Sequence, residues 1–363
     1  MSTQDRTDRP DGEWWQDLAP VVPESSATRP PYRTVDVHTH LSVPAGTRLA
    51  TPYLKPELEP RALYSSPETL RYNKEYRASA RQTGQFEDAE VRLADMDRQG
   101  IDVQVLSVPP TEYFYWLPEK EALSACRLQH ERFAEVVAAH PGRFTAVANV
   151  PLGHPDLAVE VLREARDDFG FHGFEMSADV VGLDLDDARY DAVWEAAVEL
   201  GMTAIMHPQG FTHGERFTDY YLVNVMCMPL ASALATTKMI LGGVWQRHPD
   251  LSMVVVHGGG YLPFYSARTD HAWTVRPELR KHIDRAPSDY LAKLYFDTNV
   301  FDPGMVRHLV DRFGAEHVLL GTDYPFDMGT VDPLGFLERV DLTDEERRLV
   351  MGGNAERLLR IGS

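Results

Sequence analysis

The sequence predicts an α/β protein built as a (β/α)8 barrel of the TIM type, and three observations favour that fold. Eight short apolar stretches recur along the chain, and a segment with helical periodicity separates most of them. No pair of these stretches has the pattern of a hairpin, so a parallel sheet covered by helices is expected. A length of 363 residues also suits one large barrel domain. A doubly wound open sheet is the weaker alternative.

The predicted strands and helices alternate in chain order. The predicted strands are residues 34–40, 103–108, 144–150, 171–176, 202–206, 253–256, 294–297 and 318–320. The predicted helices are residues 87–99, 119–139, 156–168, 188–200, 232–247 and 303–313, followed by a last helix. Thr343 and Glu346 have the spacing of a capping box, which indicates that this last helix begins there. In the first helix, Val91, Ala94 and Met96 lie near one stripe and are expected to face the core.

Two segments lie outside the repeating barrel units. Residues 1–33 are rich in Pro, Asp, Arg and Ser, with Trp14 and Trp15 as the main apolar anchors, so an extended N-terminal arm is expected. Residues 34–360 form the predicted catalytic domain. Within it, residues 41–85 follow the first strand as a long insertion with prolines, tyrosines and no sustained period. Long loops in compact domains are usually functional, so this insertion is predicted to be a lid or a small subdomain over the site.

The composition limits the partners of the protein. A formal net charge of −19 argues against nucleic acid and anionic membranes, since both would repel such a surface. No stretch approaches the roughly 18 apolar residues that a membrane span requires. The two cysteines, Cys126 and Cys227, are too few for a disulfide framework and suit a reducing compartment. A cytoplasmic protein is therefore expected.

The first predicted strand ends in a pair of histidines, His38 and His40. Successive side chains on a strand point to opposite faces, so residues two apart share a face. The strand would therefore aim both imidazoles at the same point. Imidazole is the commonest nitrogen ligand for divalent metals, and chance alone would account equally well for an isolated pair of this kind.

Metal-binding side chains also stand at the ends of other predicted strands. His207 follows the fifth strand, His257 the sixth and Asp323 the eighth. In a (β/α)8 barrel the carboxyl ends of all strands meet at one mouth, where active sites are built. Together with His38 and His40, these residues offer imidazole nitrogens and a carboxylate, a ligand set that suits Zn²⁺, or less well Mn²⁺ or Fe²⁺.

The end of the fourth predicted strand bears on the number of metal ions. A lysine there could be carboxylated and bridge two ions. The strand ends instead in Glu175, Met176 and Ser177, so a single metal ion is favoured. The sequence leaves open whether Glu175 joins the site.

The local sequences around these residues carry a family resemblance. The motifs are Asp36-Val37-His38-Thr39-His40, Met206-His207-Pro208, Val256-His257-Gly258-Gly259-Gly260 and Gly321-Thr322-Asp323-Tyr324-Pro325-Phe326. In this order they resemble the decarboxylase branch of the amidohydrolase superfamily, which includes the aminocarboxymuconate-semialdehyde decarboxylases. The resemblance covers about residues 34–360, and it implies a metal-dependent carboxy-lyase with a (β/α)8 barrel.

The resemblance implies roles for the site residues. It makes His38, His40, His207 and Asp323 the ligands of one divalent metal ion, with Zn²⁺ favoured and Mn²⁺ as the alternative. It makes His257 the catalytic acid/base, since imidazole titrates near neutral pH. An ionised Asp323 accepts hydrogen bonds, so it can also take part in catalysis by binding the metal-activated water.

The resemblance also implies a small anionic carboxylic-acid substrate that is bound by arginines. Arg81 is the predicted contact from the segment before the first crossover helix, and Arg77 is its alternative. Arg268 is the predicted contact from a neighbouring subunit, which implies a homodimer. Trp116 and Phe326 are predicted to wall the pocket against a planar substrate, although core packing would explain them about as well.

These inferences predict a cytoplasmic enzyme that uses one metal ion to remove CO₂ non-oxidatively from an aromatic or muconate-type carboxylic acid. The same site could instead hydrolyse or hydrate a ring-cleavage product or lactone, because metal-activated water attacks carbonyls and alkenes. A non-catalytic scaffold that kept the barrel is a second alternative. Loss of a metal ligand would favour that scaffold, and no ligand is missing.

Overall fold

The structure, a computed structural model, describes residues 21–362 and contains eight consecutive parallel strands. The strands are Val35–His40 (β1), Val103–Ser107 (β2), Phe144–Ala146 continued by Ala148–Asn149 (β3), Gly173–Met176 (β4), Thr203–Met206 (β5), Met253–Val255 (β6), Tyr295–Asp297 (β7) and Val318–Leu319 (β8). All eight predicted strands are present, and their ends differ from the prediction by no more than about two residues.

The strands close into a barrel. Each strand pairs in parallel with the next one along the chain. β3 is interrupted at Val147, whose backbone N–H donates to the Leu106 carbonyl at 3.0 Å and keeps the wall continuous. The circle closes between the chain after β8 and β1, where the Asp323 N–H donates to the His38 carbonyl at 2.8 Å. The predicted (β/α)8 fold is confirmed, and this closure rules out the open sheet.

β1 does not alternate strictly between its two faces. Its pairing with β2 shifts register between Asp36 and Thr39. Val35 and Val37 belong to an apolar cluster that also takes residues from β2, β3, β5, β6 and β8. His38, within the shift, and His40, just after it, both turn toward the other strand ends, as their ring contacts with His207 show. A local irregularity of this kind re-aims side chains next to a site.

Helices alternate with the strands and cover the outside of the barrel. They are Pro44–Ala50 (α1), Pro60–Leu63 (α2), Pro67–Gln82 (α3), Ala89–Gln99 (α4), Glu119–Ala139 (α5), Pro155–Asp167 (α6), Asp191–Leu200 (α7), Leu222–Val225 (α8), Cys227–Leu241 (α9), Val244–Arg247 (α10), Leu262–Tyr265 (α11), Ala267–Val275 (α12), Pro287–Leu291 (α13), Pro303–Phe313 (α14), Pro333–Glu338 (α15), Asp344–Arg348 (α16) and Asn354–Leu359 (α17). The capping box of Thr343 and Glu346 is present at the start of α16.

The helix predicted over residues 232–247 differs from the structure at both ends. α9 begins five residues earlier, at Cys227, and ends before Gly242. Gly243 has a φ of +77°, and a Cβ at that position would lie 2.6 Å from the His282 carbonyl oxygen. Only glycine fits this turn, so α10 is a separate helix.

The insertion after β1 is folded, whereas the sequence showed no period there. It contains α1, α2 and α3. α3 is rich in charged residues and buries only a narrow strip, in which Tyr76 and Ala80 pack with Phe86 and Phe326. The Tyr76 hydroxyl donates to the Pro325 carbonyl at 2.5 Å, so the insertion contacts the loop after β8. A helix with so few apolar positions leaves little periodic signal in the sequence.

The buried face of α4 mixes polar and apolar residues, so the apolar stripe predicted there is right for Met96 and wrong for Ala94. Ala94 is exposed, and Arg92 is fully buried. The Arg92 guanidinium donates to the His40 carbonyl at 2.7 Å and to the Thr39 hydroxyl at 3.0 Å, and it lies 4.7 Å from the centre of the Tyr324 ring. An arginine on this helix thus supports the end of β1, which the apolar pattern could not indicate.

Only part of the predicted arm falls within the described chain; Trp14 and Trp15 lie outside it. Residues 21–33 form neither helix nor strand, and the Ser25 and Ser26 hydroxyls donate to Asp332. One stretch, Leu222–Leu241, has the length and a mean hydropathy of 1.3 that would suit a membrane span, contrary to the sequence prediction. Half of it is buried inside the domain, where it forms α8 and α9, as in a core helix of a barrel.

Candidate metal centre

Four histidines and one aspartate from separate strand ends meet at the mouth of the barrel. His38 and His40 come from β1, and His207 follows β5 directly. The ring centres of these three histidines lie 4.9–5.3 Å from one another. His257 follows β6, and its ring centre is 5.0 Å from those of His38 and His207. The sequence-predicted site residues at the strand ends are therefore brought together.

The Asp323 carboxylate lies at the centre of this cluster, and its two oxygens face different histidines. Oδ1 is 3.1 Å from Nε2 of His40, 3.4 Å from Nε2 of His38 and 3.8 Å from Nε2 of His207. Oδ2 is 3.6 Å from Nε2 of His257. Three imidazoles thus share one carboxylate oxygen, and the fourth imidazole faces the other.

The second ring nitrogen of each of the first three histidines is held by an acceptor. Nδ1 of His38 lies 2.6 Å from an Asp297 oxygen, Nδ1 of His40 lies 2.9 Å from the Val108 carbonyl, and Nδ1 of His207 lies 2.9 Å from the Pro208 carbonyl. A proton on each Nδ1 leaves the Nε2 lone pair directed at the centre of the cluster. Histidines that bind metals are oriented in this way.

His257 differs from the other three histidines in its surroundings. Its Nδ1 is buried and has no hydrogen-bond partner within residues 21–362. Its side chain is 17% exposed, whereas those of His38, His40 and His207 are at most 2% exposed. His257 and Asp323 also have positive φ values, 55° and 64°, which few residues other than glycine adopt. Backbone strain of this kind clusters at functional sites.

The donor set fits a divalent metal ion. Nε2 of His38 and Nε2 of His207 are buried and have no hydrogen-bond partner in the described chain. Two atoms bound tetrahedrally at about 2.1 Å from one ion lie about 3.4 Å apart, close to the distances around Asp323 Oδ1. One further grouping is compatible with the geometry, since ligand atoms of His38, His207, His257 and Asp323 also lie within 4.8 Å of one another.

The electrostatics of the centre also favour a cation. Burial alone would raise the pKa of Asp323, but the surrounding histidines hold that pKa well below its usual range. Burial alone would lower the pKa of His38, but Asp323 and Asp297 raise it to about 10. Burial lowers the pKa of His207 well below its ordinary value. The same carboxylates that raise the pKa of His38 would attract a metal cation.

Two buried aspartates support the centre from behind, and the sequence did not single out the second of them. Asp36 accepts hydrogen bonds from the Thr322 hydroxyl at 2.5 Å and from the Thr322 N–H at 3.1 Å, which joins β1 to the chain after β8. Asp297, at the end of β7, lies against Nδ1 of His38 and also accepts from the Gly258 N–H at 2.8 Å. Asp297 therefore orients a candidate ligand and anchors the residue after His257.

Glu175 lies next to the centre without facing the shared carboxylate. It is buried at the end of β4, where its Oε1 accepts from the Ser107 hydroxyl at 2.9 Å and is 3.9 Å from Nδ1 of His40. Burial raises the pKa of Glu175 to about 8. The Glu175 carboxyl group thus lies on the Nδ1 side of His40, whereas Nε2 of His40 faces the shared carboxylate. Glu175 is therefore a neighbour of the centre and not a candidate ligand.

A cavity of about 340 Å³ opens onto the centre, and the predicted substrate-binding residues are distributed unevenly around it. Phe326 lines the cavity, and its ring centre is 5.2 Å from that of His40. Trp116 lines an adjacent cavity instead, because its indole N–H donates to the buried Glu59. Arg77 lines that adjacent cavity as well. Arg268 is exposed on α12 and lines neither cavity.

The side chain of Arg81, the other predicted substrate contact, lies outside the described residues. The arginine that does line the metal-centre cavity is Arg61, on α2 of the insertion. Sequence reasoning missed it because α2 is a single turn in a stretch without periodicity. Nothing in the sequence around Arg61 distinguishes it from the many surface arginines of the chain.

Known proteins resemble this chain in sequence and in fold. The family model described as Amidohydrolase matches residues 35–361. A 2-amino-3-carboxymuconate-6-semialdehyde decarboxylase of Dictyostelium discoideum is 30% identical over 337 residues, which cover 90% of this chain and 91% of that protein. A gamma-resorcylate decarboxylase of Rhizobium sp. is 27% identical over 287 residues, which cover 75% of this chain and 87% of that protein.

The 5-carboxyvanillate decarboxylase of Sphingomonas paucimobilis has a similar structure, with a TM-score of 0.80 at 22% identity, covering 91% of this chain and 99% of that one. A dihydroxybenzoic acid decarboxylase from Polaromonas sp. with bound manganese and the inhibitor 2-nitroresorcinol gives a TM-score of 0.77 at 20% identity, covering 92% of this chain and 98% of that one. The resemblance stated from the motifs is thereby confirmed. The chain belongs to the amidohydrolase family, and the four relatives named here are all decarboxylases.

Proposed function

We propose that the protein is a metal-dependent decarboxylase that removes CO₂ non-oxidatively from a small aromatic or muconate-type carboxylic acid. The observation that carries this proposal is the convergence of three oriented imidazoles on one oxygen of Asp323, with His257 on the other oxygen. The four decarboxylases similar to this chain support the reaction class.

His38, His40, His207 and Asp323 would hold the metal ion. The orientation of each Nδ1 toward an acceptor favours these three histidines over a set that includes His257. When bound, the ion supplies Lewis acidity at the oxygens of the substrate, which disperses the charge that develops as the C–C bond breaks. Mixed nitrogen and oxygen ligands suit Zn²⁺, and Mn²⁺ is equally supported because a similar structure contains it.

His257 would carry the proton that decarboxylation requires. As the C–C bond breaks, its electron pair stays on the substrate carbon, CO₂ departs, and a proton must be added to that carbon. His257 lines the cavity, and no acceptor among the described residues ties its Nδ1, so this imidazole is placed beside the substrate without being oriented as a metal ligand. Asp323 Oδ2, 3.6 Å from Nε2 of His257, would hold the imidazole in place during the transfer.

The cavity wall suits a planar substrate. Phe326 presents an aromatic ring next to His40, and Phe264 and Phe301 also line the cavity. Aromatic walls pack well against conjugated rings and dienes. A substrate of this kind would place its carboxylate toward the cations of the centre, within an otherwise acidic protein of net charge −19.

We also propose that the protein works as a homodimer in the cytoplasm. Apolar side chains are exposed around the cavity and along α12, among them Tyr261, Tyr265 and Val275, and a second copy could cover them. Arg268 lies on the same helix, where it could reach the site of a partner subunit. Cys126 and Cys227 are buried and free, as suits a reducing compartment.

Hydration is the second candidate reaction. A 2-keto-4-carboxy-3-hexenedioate hydratase of Sphingobium sp. is 23% identical over 246 residues, which cover 62% of this chain and 68% of that protein. A hydratase needs the same metal site and the same proton carrier, so geometry alone does not separate the two reactions. Decarboxylation is favoured because the more similar relatives catalyse it.

The test measures the metal content of the purified protein and then the release of CO₂ from salicylate-like and muconate-like acids. We expect about one divalent ion per chain and CO₂ release from at least one acid. In His257→Gln the metal should remain, while kcat falls by about 10²–10⁴-fold, the usual contribution of a positioned acid/base. His271→Gln, which changes an exposed histidine, is the matched control.

Two results would contradict the proposal. Metal-loaded protein that hydrates an alkene or opens a lactone, and releases no CO₂ from any acid, is a hydratase or hydrolase. Loss of the metal in His257→Gln would make His257 a ligand and would favour the alternative ligand set with His38, His207 and Asp323.

A further inference from the structure

Arg61 is the only arginine or lysine among the described residues that line the metal-centre cavity. Its guanidinium carbon lies 5.8 Å from the centre of the Phe326 ring, so the group stands over one face of the aromatic wall. Nε of Arg61 is buried and has no hydrogen-bond partner within residues 21–362. A buried guanidinium N–H without an acceptor is unfavourable, which points to an acceptor that a ligand supplies.

Two other polar side chains stand near this guanidinium. Asp327 lines the same cavity, where burial raises its pKa and Arg61 opposes that rise. The Tyr221 hydroxyl is also buried, and Arg61 opposes the rise in pKa that burial causes there. Even with this carboxyl group and this hydroxyl nearby, Nε of Arg61 has no acceptor among the described residues.

The turn that carries Arg61 is fixed by a buried carboxylate two residues earlier. Glu59 is only 7% exposed, and it accepts hydrogen bonds from the Trp116 indole N–H and from the Gln209 side-chain amide, the latter at 2.5 Å. Trp116 lies in the loop after β2, and Gln209 lies two residues after His207. Glu59 therefore ties the insertion to two loops at the barrel mouth.

The backbone of the same turn approaches the loop after β5 very closely. A Cβ at Gly210 would lie 3.1 Å from the Arg61 backbone nitrogen and 3.1 Å from the Pro60 side chain. Gly210 also has a φ of +136°, a conformation that other residues rarely adopt. The position of Arg61 is thus set against the loop that begins with the candidate ligand His207.

We propose that Arg61 binds an anionic group of the substrate other than the group held at the metal centre, and that Glu59 is the positioning residue that holds Arg61 in place. The substrate would then carry two anionic groups. This inference rests on the proposed function for the identity of the substrate, but its test uses binding alone. Arginine suits the role because its planar donors match a carboxylate in a bidentate arrangement.

The first experiment measures binding of unreactive acids to the metal-loaded protein by calorimetry. The probes are benzene-1,3-dicarboxylate and benzoate, which differ by one carboxylate. Arg61→Gln should weaken binding of the dicarboxylate by about 10- to 100-fold, as expected for a charged hydrogen-bonding group, and should change benzoate binding by less than about threefold. Arg48→Gln, which removes an exposed arginine of the same insertion, should change neither.

Equal weakening for both acids would overturn the proposal, because Arg61 would then bind the carboxylate that the two probes share. Unchanged binding of the dicarboxylate would also overturn it. Neither result depends on CO₂ release. A wild-type protein that binds the dicarboxylate through Arg61 but releases no CO₂ from any acid would reject the decarboxylase assignment and keep this inference.

The second experiment tests whether Glu59 acts through Arg61. Glu59→Gln should weaken dicarboxylate binding by about tenfold and leave the metal content unchanged. In the Arg61→Gln background, the same change should have almost no further effect, since residues that act through one another are not additive. Trp116→Phe, which removes one donor and keeps an aromatic ring, should act in the same direction by about threefold. Additive effects of the two substitutions would make Glu59 merely structural.

Discussion

The metal centre and the insertion turn that holds Arg61 face the same cavity, but they are built in different ways. The centre takes its side chains from the ends of β1, β5, β6 and β8, and an acceptor at the end of a barrel strand fixes the Nδ1 of His38, His40 and His207. The turn lies on a helix of four residues, and two loops distant in sequence, those after β2 and β5, hold it. One region is supported by the barrel itself, and the other depends on contacts between loops.

This difference separates chemistry from selectivity. Strand ends of a closed barrel are rigid, so they can hold a ligand set within a few tenths of an ångström. Loops change more easily between relatives, so they suit the recognition of different acids. Changes at the barrel mouth should therefore affect metal binding and catalysis, whereas changes in the insertion should affect which acid binds.

The largest effect is expected at Asp323. Asp323→Ala removes the carboxylate that faces all four histidines, so metal binding should be lost and kcat/KM should fall by at least about 10³-fold. Metal analysis and CO₂ release measure this. Asp250→Asn, in an exposed turn, is the control. Full metal occupancy in Asp323→Ala would contradict its place as a ligand and would weaken the contrast between the two regions.

A smaller effect is expected behind the metal centre. Asp297→Asn weakens the interaction with Nδ1 of His38 at 2.6 Å, so metal affinity should fall by about 10- to 100-fold. Competition with a chelator measures the affinity. Asp297 also accepts a hydrogen bond from the N–H of Gly258, the residue after His257. The substitution should therefore lower kcat even when metal is in excess. An Asp297→Asn protein that binds metal as the wild type does would show that strand rigidity alone orients His38.

Low pH should lower the stability of the folded protein through a buried histidine, His130. Burial lowers the pKa of His130 to about 4, and one of its ring nitrogens lies 3.0 Å from the Asn149 carbonyl at the end of β3. The folded state therefore binds this proton less readily than the unfolded state, whose pKa is about 6.5. Stability should fall as the pH drops from about 6.5 to about 4.

Urea unfolding at several pH values measures this loss, with His130→Gln for comparison. The variant should be less stable at pH 7 but should lose less stability across that pH interval. Glu59 works in the opposite sense, because burial raises its pKa and the folded state takes up the proton more readily. An equal pH dependence in the wild type and the variant would contradict the prediction, because folding would then leave the pKa of His130 unchanged.

The smallest effect is expected where the insertion meets the barrel. Tyr76→Phe removes the hydrogen bond to the Pro325 carbonyl and should lower stability by about 1 kcal/mol, with little change in kcat or metal content. Faster proteolysis within residues 41–85 would show that the insertion opens more often. A large loss of metal would mean that the insertion supports the centre as strongly as the strands do.

Much of the metal centre could be predicted from the sequence because each candidate ligand lies at the end of an apolar strand or within a few residues after it. His38, His40, His207 and Asp323 needed only the rule that barrel strands end at one mouth. The pocket walls could not be predicted in this way. Trp116 turns to Glu59, and Arg61 reaches the cavity from an insertion without periodicity. Their placement depends on contacts between residues more than 50 positions apart.

The sequence by itself determined the (β/α)8 fold, the candidate metal ligands and the family, because apolar period and strand-end position are local properties of the chain. Tertiary structure decided how these side chains are used. Asp297 and Arg92 orient the end of β1. One oxygen of Asp323 faces His257, and the other oxygen faces the remaining three histidines. Hydrogen bonds between distant loops fix such orientations, and no local pattern records them.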